Sequence, residues 1–73
     1  MNKISMKKFA TRLKELRIEK NLSQADLALE TKLTQVAIAY WETEQRTPNA
    51  QAIIILARYF NVTTDYLLGE KDY

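Results

Sequence analysis

The sequence predicts an all-α fold, a compact domain of five helices, on three observations. Apolar residues recur at spacings of three and four. A punctuation of helix stop, apolar residue and Ser or Thr occurs three times, at Asn21-Leu22-Ser23, Lys32-Leu33-Thr34 and Asn61-Val62-Thr63. A single Gly and a single Pro are too few for the tight turns of a strand-rich chain.

The first helix is expected over 7–20, because Phe9, Ala10, Leu13 and Leu16 fall on one side of a 3.6-residue period. Asn21 tolerates the left-handed backbone that closes a helix, and Ser23 then caps the second, over 24–31, with Asp26 placed for a capping box. That helix turns Leu27, Ala28 and Thr31 inward. Thr34 caps the third helix, over 35–43, with Ile38 and Trp41 inward. Pro48-Asn49 announces the fourth, over 50–60, whose inner side is Ile53, Leu56, Ala57 and Phe60. Thr63 caps a fifth over 64–68, and the Glu70–Tyr73 tail is expected to fray. The 73 residues read as a single domain, with one core and no linker or repeat.

Cysteine and histidine are absent, which removes disulfides, thiolate nucleophiles, zinc fingers of the usual kind and imidazole catalysis together. No nucleophile–base pair is evident, and Glu42 and Glu44 point to different sides of a helix, so the sequence carries no sign of an enzyme, a cofactor or a metal site. The net charge of +2 hides an asymmetry: residues 1–20 hold seven Lys or Arg, Lys3 among them, against two Glu, while residues 21–73 hold four basic and seven acidic. A surface that faces a polyanion should therefore include the first helix. The longest apolar run, Ala52–Ala57, is too short to span a bilayer, and no secretory signal is evident, so a cytoplasmic location is expected.

The short connection at Lys32-Leu33-Thr34 suits a steep crossing between the second and third helices, which makes residues 24–43 a candidate helix-turn-helix. Leu13-Lys14-Glu15-Leu16-Arg17, Leu22-Ser23-Gln24-Ala25-Asp26-Leu27-Ala28, Trp41-Glu42, Arg46-Thr47-Pro48 and Asp65-Tyr66-Leu67-Leu68-Gly69 follow in order. Over residues 9–69 this text resembles the Cro and lambda-repressor type of helix-turn-helix, also called the xenobiotic-response-element family. The resemblance implies a lambda-repressor-like fold and sequence-specific binding of double-stranded DNA, with the third helix in the major groove, in a transcriptional regulator of the repressor kind. Gln24 and Thr34 match positions that meet the phosphate backbone; Gln35, Val36 and Tyr40 match positions that face base edges, with Ala37 beside them; Gln45 and Arg46 match a second phosphate-contacting segment. Arg17 and Glu42 match a structural ion pair. The family usually carries Gly at the positions of Lys32 and Glu44, where the backbone turns left-handed.

The outward residues of the third helix carry no charge. Gln35 can pair with adenine, Val36 and Ala37 can meet thymine methyl groups, and Tyr40 can reach a phosphate or base edge. One such helix reads too few base pairs to select a genomic site, so a homodimer on a palindromic operator is expected, with Ile55, Tyr59, Tyr66 and Leu67 as candidate dimer residues. The competing reading is an antitoxin-like or adaptor module that uses the same fold to bind protein, and it differs from the first in its weak dependence on salt. No small-molecule ligand is evident.

Overall fold

The computed structural model describes residues 4–73, and Lys3 of the basic stretch lies outside them. Five helices follow one another, α1 (Lys7–Glu19), α2 (Gln24–Thr31), α3 (Gln35–Glu42), α4 (Ala50–Phe60) and α5 (Thr64–Leu68), with no strand among the described residues. The predicted caps set the starts. Ser23, Thr34, Asn49 and Thr63 each lie in extended backbone, and each side chain accepts from the backbone N–H three residues on, at 3.0, 3.1, 2.8 and 2.9 Å. Each such cap contributes about 1 kcal/mol.

The ends are set by left-handed residues. Asn21, Lys32, Glu44, Asn61 and Gly69 have φ of 58°, 60°, 61°, 56° and 85°. At four of these ends a pair of backbone bonds folds the chain back on the last turn, as where Gln45 N–H donates to Tyr40 O at 2.8 Å and Glu44 N–H to Trp41 O at 3.3 Å. Lys32 and Glu44 thus keep the left-handed geometry without being Gly. α1 and α3 stop one residue before the expected limits, because Lys20 and Thr43 leave helical backbone to enter these turns. Gly69 is required on two grounds: a Cβ there would lie 2.5 Å from Lys8 Cβ, and its φ is positive.

One core joins the helices. Phe9, Leu13, Leu27, Ile38, Leu56 and Leu67 are fully buried at its centre, with Trp41, Ile53, Ala57 and Phe60 around them. α1 packs on α3 and α5, α2 on α3 and α4, and α4 on α5, so α3 is held from two sides with its remaining face free. Every inward residue read from the periodicity lies in this core or against it.

Two expectations fail. Leu67 is not a surface residue: it is wholly buried, because α5 is only five residues long and uses Leu67 as its anchor in the core. The tail is not free of the domain either. The Arg12 guanidinium donates to Tyr66 O and, at 2.7 Å, to Lys71 O, and Thr63 Oγ1 donates to Tyr73 O at 3.2 Å. Arg12 also lies 4.2 Å from the Tyr66 ring centre, a cation–π contact that fixes the same segment.

Candidate nucleic-acid interface

Two helix N-termini bracket the turn between α2 and α3. At α2, Ser23 and Asp26 form a complete capping box: Asp26 N–H donates to Ser23 Oγ and Ser23 N–H to Asp26 Oδ2, both at 3.0 Å. Hydrogen bonding from Ser23 holds the Asp26 carboxyl below the usual carboxylate range, the bond from the Ser23 backbone N–H most strongly. At α3, Thr34 Oγ1 accepts from Ala37 N–H. The first N–H groups of each helix, on Gln24 and Ala25 and on Gln35 and Val36, have no acceptor within the helix. Free N–H groups at the positive end of a helix dipole make a site for an anionic oxygen.

The sequence of α3 sorts cleanly by side. Ile38 and Trp41 enter the core, while Gln35 and Val36 project into solvent, Val36 being 62% exposed. Ala37 and Tyr40 are half-buried, and Ala37 packs against the core, so it offers a smaller contact surface than its neighbours. Beyond the helix end, the Arg46 guanidinium lies 5.2 Å from the Tyr40 ring centre, so Tyr40 carries the cation that follows it in the chain. Gln45, also exposed, donates from Nε2 to Thr43 Oγ1 at 2.9 Å. The outward positions thus run from a polar tip at Gln35 through Tyr40 to a single cation at Arg46.

Arg17 and Glu42 form the expected pair with both guanidinium prongs: Nε donates to Oε2 at 2.7 Å and Nη2 to Oε1 at 2.9 Å. The Glu42 side chain is 3% exposed and that of Arg17 12%, so the pair is sealed between α1 and α3. Hydrogen bonding to Glu42 holds the Arg17 pKa above its ordinary value against the opposing effect of burial. Arg17 Nη1 also donates to Leu22 O at 2.8 Å, and Gln24 Nε2 donates to Glu42 Oε1 at 3.1 Å. The Gln24 bond escaped the sequence because residues 18 apart carry no local signal.

Of the basic residues in the first twenty, Arg12 and Arg17 are therefore engaged inside the molecule rather than free to face a polyanion. The four candidate dimer residues also separate. Ile55 stays half-exposed on the outer stripe of α4; Tyr59 bonds through its hydroxyl to Glu30 at 3.4 Å; Tyr66 lies beneath Arg12; Leu67 is buried. Reading Ile53-Ile54-Ile55 at helical spacing puts the middle residue outward, and Ile54 is 43% exposed, a position the sequence reading passed over.

α2, the Lys32-Leu33-Thr34 turn and α3, with α3 wedged against the core and its outer side bare, make a helix-turn-helix. The chain belongs to the helix-turn-helix family, whose model matches residues 13–67. It is 34% identical over 64 residues, 88% of its length, to the HTH-type transcriptional activator BcrR of Enterococcus faecalis, of which this covers 31%. It is 31% identical over 61 residues, 84% of its length, to the HTH-type transcriptional regulator ImmR of Bacillus subtilis (strain 168), of which this covers 48%. The chain thus spans at most about half the length of these two relatives. Its fold is similar to that of the P22 c2 repressor in complex with synthetic operator 9T, with a TM-score of 0.79 and 27% identity over 86% of this chain and 96% of that one. It is also similar to the DNA-binding domain of the same repressor determined by nuclear magnetic resonance, with a TM-score of 0.76 and 26% identity over 89% and 86%.

Proposed function

We propose that this chain is a single domain that binds double-stranded DNA sequence-specifically, with α3 in the major groove, and regulates transcription as a repressor. The observation that carries this reading is the bare outer side of α3, where Gln35 and Val36 project beside two capped helix N-termini. The likeness to a repressor in complex with its operator supports it. No helix among the described residues is long and apolar enough to cross a membrane.

In this reading the free N–H groups of Gln24 and Thr34's neighbours Gln35 and Val36 take phosphate oxygens, and Gln45 and Arg46 grip the strand beyond α3. Gln35 reads an adenine through N6 and N7, Val36 packs on a thymine methyl, and Tyr40 supports Arg46. Two copies related by a two-fold axis read a palindrome, and the outer stripe of α4, with Ile54 and Ile55, supplies the contact between them.

Selection of bound duplexes from a random pool tests the whole reading. A palindrome with half-sites about one helical turn apart is the expected result. Gln35→Ala should then weaken binding to that site by about 1–3 kcal/mol and relax one base position in each half. A pool that yields no enriched sequence, or a Gln35→Ala protein with the same preference as the parent, overturns it.

A further inference from the structure

The Arg17–Glu42 pair is complete without a third partner, since the guanidinium fork already serves both carboxylate oxygens. Gln24 nevertheless donates to the same Glu42 oxygen at 3.1 Å, from the first residue of α2. A carboxylate only accepts hydrogen bonds, so this contact decides which way the Gln24 amide faces: its NH2 group is turned to Glu42, with one N–H used and the other left over. The opposite orientation would set two oxygens against each other. Arg17 meanwhile holds the residue just before the α2 cap, through Leu22 O at 2.8 Å. One buried carboxylate at the end of α3 therefore fixes both the entry of the chain into α2 and the polarity of the first side chain on it.

We propose that Glu42 is a positioning residue for DNA binding: it accepts one Nε2 hydrogen of Gln24 so that the second is presented to a phosphate oxygen. This rests on the reading that the start of α2 meets the backbone of the duplex. An unheld Gln would spread over many rotamers and, in half of its amide orientations, offer an oxygen to an anion. Held by Glu42, it offers a hydrogen alongside the free N–H groups of the helix end. The end of the groove-facing helix thereby sets the phosphate contact made by its neighbour, and the two surfaces are adjusted together.

The test is a double-mutant cycle on affinity for a mixed-sequence duplex of about 20 base pairs, on which phosphate contacts are scored without base readout. Gln24→Met should weaken binding about tenfold, Glu42→Gln by about as much, and the two together no further than either alone. If Glu42→Gln costs as much in the Gln24→Met protein as in the parent, Glu42 acts only through the fold and the proposal fails. If Gln24→Met leaves affinity unchanged, the phosphate reading of α2 fails first, and the proposal with it. Where Glu42→Gln does not fold, the parent protein decides through the side-chain amide resonances of Gln24 in the absence of DNA. One of the two protons displaced from the position seen for exposed Gln35 is expected, and both coinciding with Gln35 overturns the proposal.

Discussion

Replacing Arg17 by Met keeps the length and most of the packing of the side chain but removes its guanidinium. Glu42, with 3% of its side chain exposed, would retain only the Gln24 N–H at 3.1 Å, and the 2.8 Å bond to Leu22 O would be lost. Breaking a buried pair from one side costs about 3–5 kcal/mol, because the cost is that of an uncompensated buried charge rather than of a missing contact. The surviving Gln24 bond places Arg17→Met at the lower end, about 3 kcal/mol. A chain of 73 residues has roughly 4–11 kcal/mol of stability in total, so a quarter to most of it is at stake. At about 4–8 °C per kcal/mol, Tm should fall by roughly 12–24 °C.

Urea unfolding followed by the fluorescence of Trp41, the only Trp and itself buried, measures this directly. The companion variant Arg17→Met with Glu42→Leu removes both charges and should recover to within about 1 kcal/mol of the parent. A loss below about 1 kcal/mol in the single variant, or a double variant no more stable than the single, would refute the reasoning. The raised Arg17 pKa adds no pH dependence near neutrality: its contribution is full below the ordinary arginine value and is lost only as pH rises through the still higher folded one.

Lys32→Gly relieves a left-handed backbone at φ 60° and should raise stability by about 0.5–1 kcal/mol, seen as a rise in Tm of roughly 2–8 °C; a lower Tm would mean that chain entropy outweighs the relief. Asp26 is held below the usual carboxylate range, so its contribution is present above that range and disappears as pH falls through its folded-state value. The stability gap between the parent and Asp26→Asn should therefore close on acidification, and a gap constant with pH would contradict the capping-box account. Arg46→Ala should weaken binding to every duplex alike and lower the salt slope by about 1 per protomer, and a changed base preference would assign Arg46 to the bases instead.

Local chemistry made the helices legible. Ser23, Thr34, Asn49 and Thr63 act within three residues of themselves, so their capping bonds could be read from the text, as could the inward residues at spacings of three and four. Apart from Ile54, which helical spacing alone places outward, the failures are contacts between distant residues. Arg12 reaches from α1 to Tyr66 and Lys71, more than fifty positions away, and ties a tail of polar composition to the domain. Leu67 stands close to the chain end, where an exposed residue is the ordinary expectation, but tertiary packing claims it. Gln24 was placed by resemblance on the backbone of DNA, while its tie to Glu42 depended on how α2 and α3 cross.

These same long-range bonds change how attraction to a polyanion must be accounted for. The first twenty residues hold seven of the eleven cations, which reads as a basic helix turned toward DNA. Folding spends Arg17 on Glu42 and Arg12 on the tail, and it sets Lys20 5.2 Å from the centre of the Tyr59 ring. Lys7 and Lys14 share a surface depression with Glu15 and Glu44, so their fields are partly cancelled where α1 meets the end of α3. Among the described residues, what remains beside the helix-turn-helix is Arg46 and the exposed Lys32 of the turn, with the N–H groups at the starts of α2 and α3. Neutral donors hold a phosphate at a definite distance and angle but release few counterions, so they add to geometry more than to the salt-dependent part of affinity. On the proposed function, a surface built this way is expected to bind random duplex weakly and to depend on the fit of Gln35, Val36 and the held Gln24 to one register of the backbone. On that reading specificity comes from geometry more than from the charge offered to any DNA.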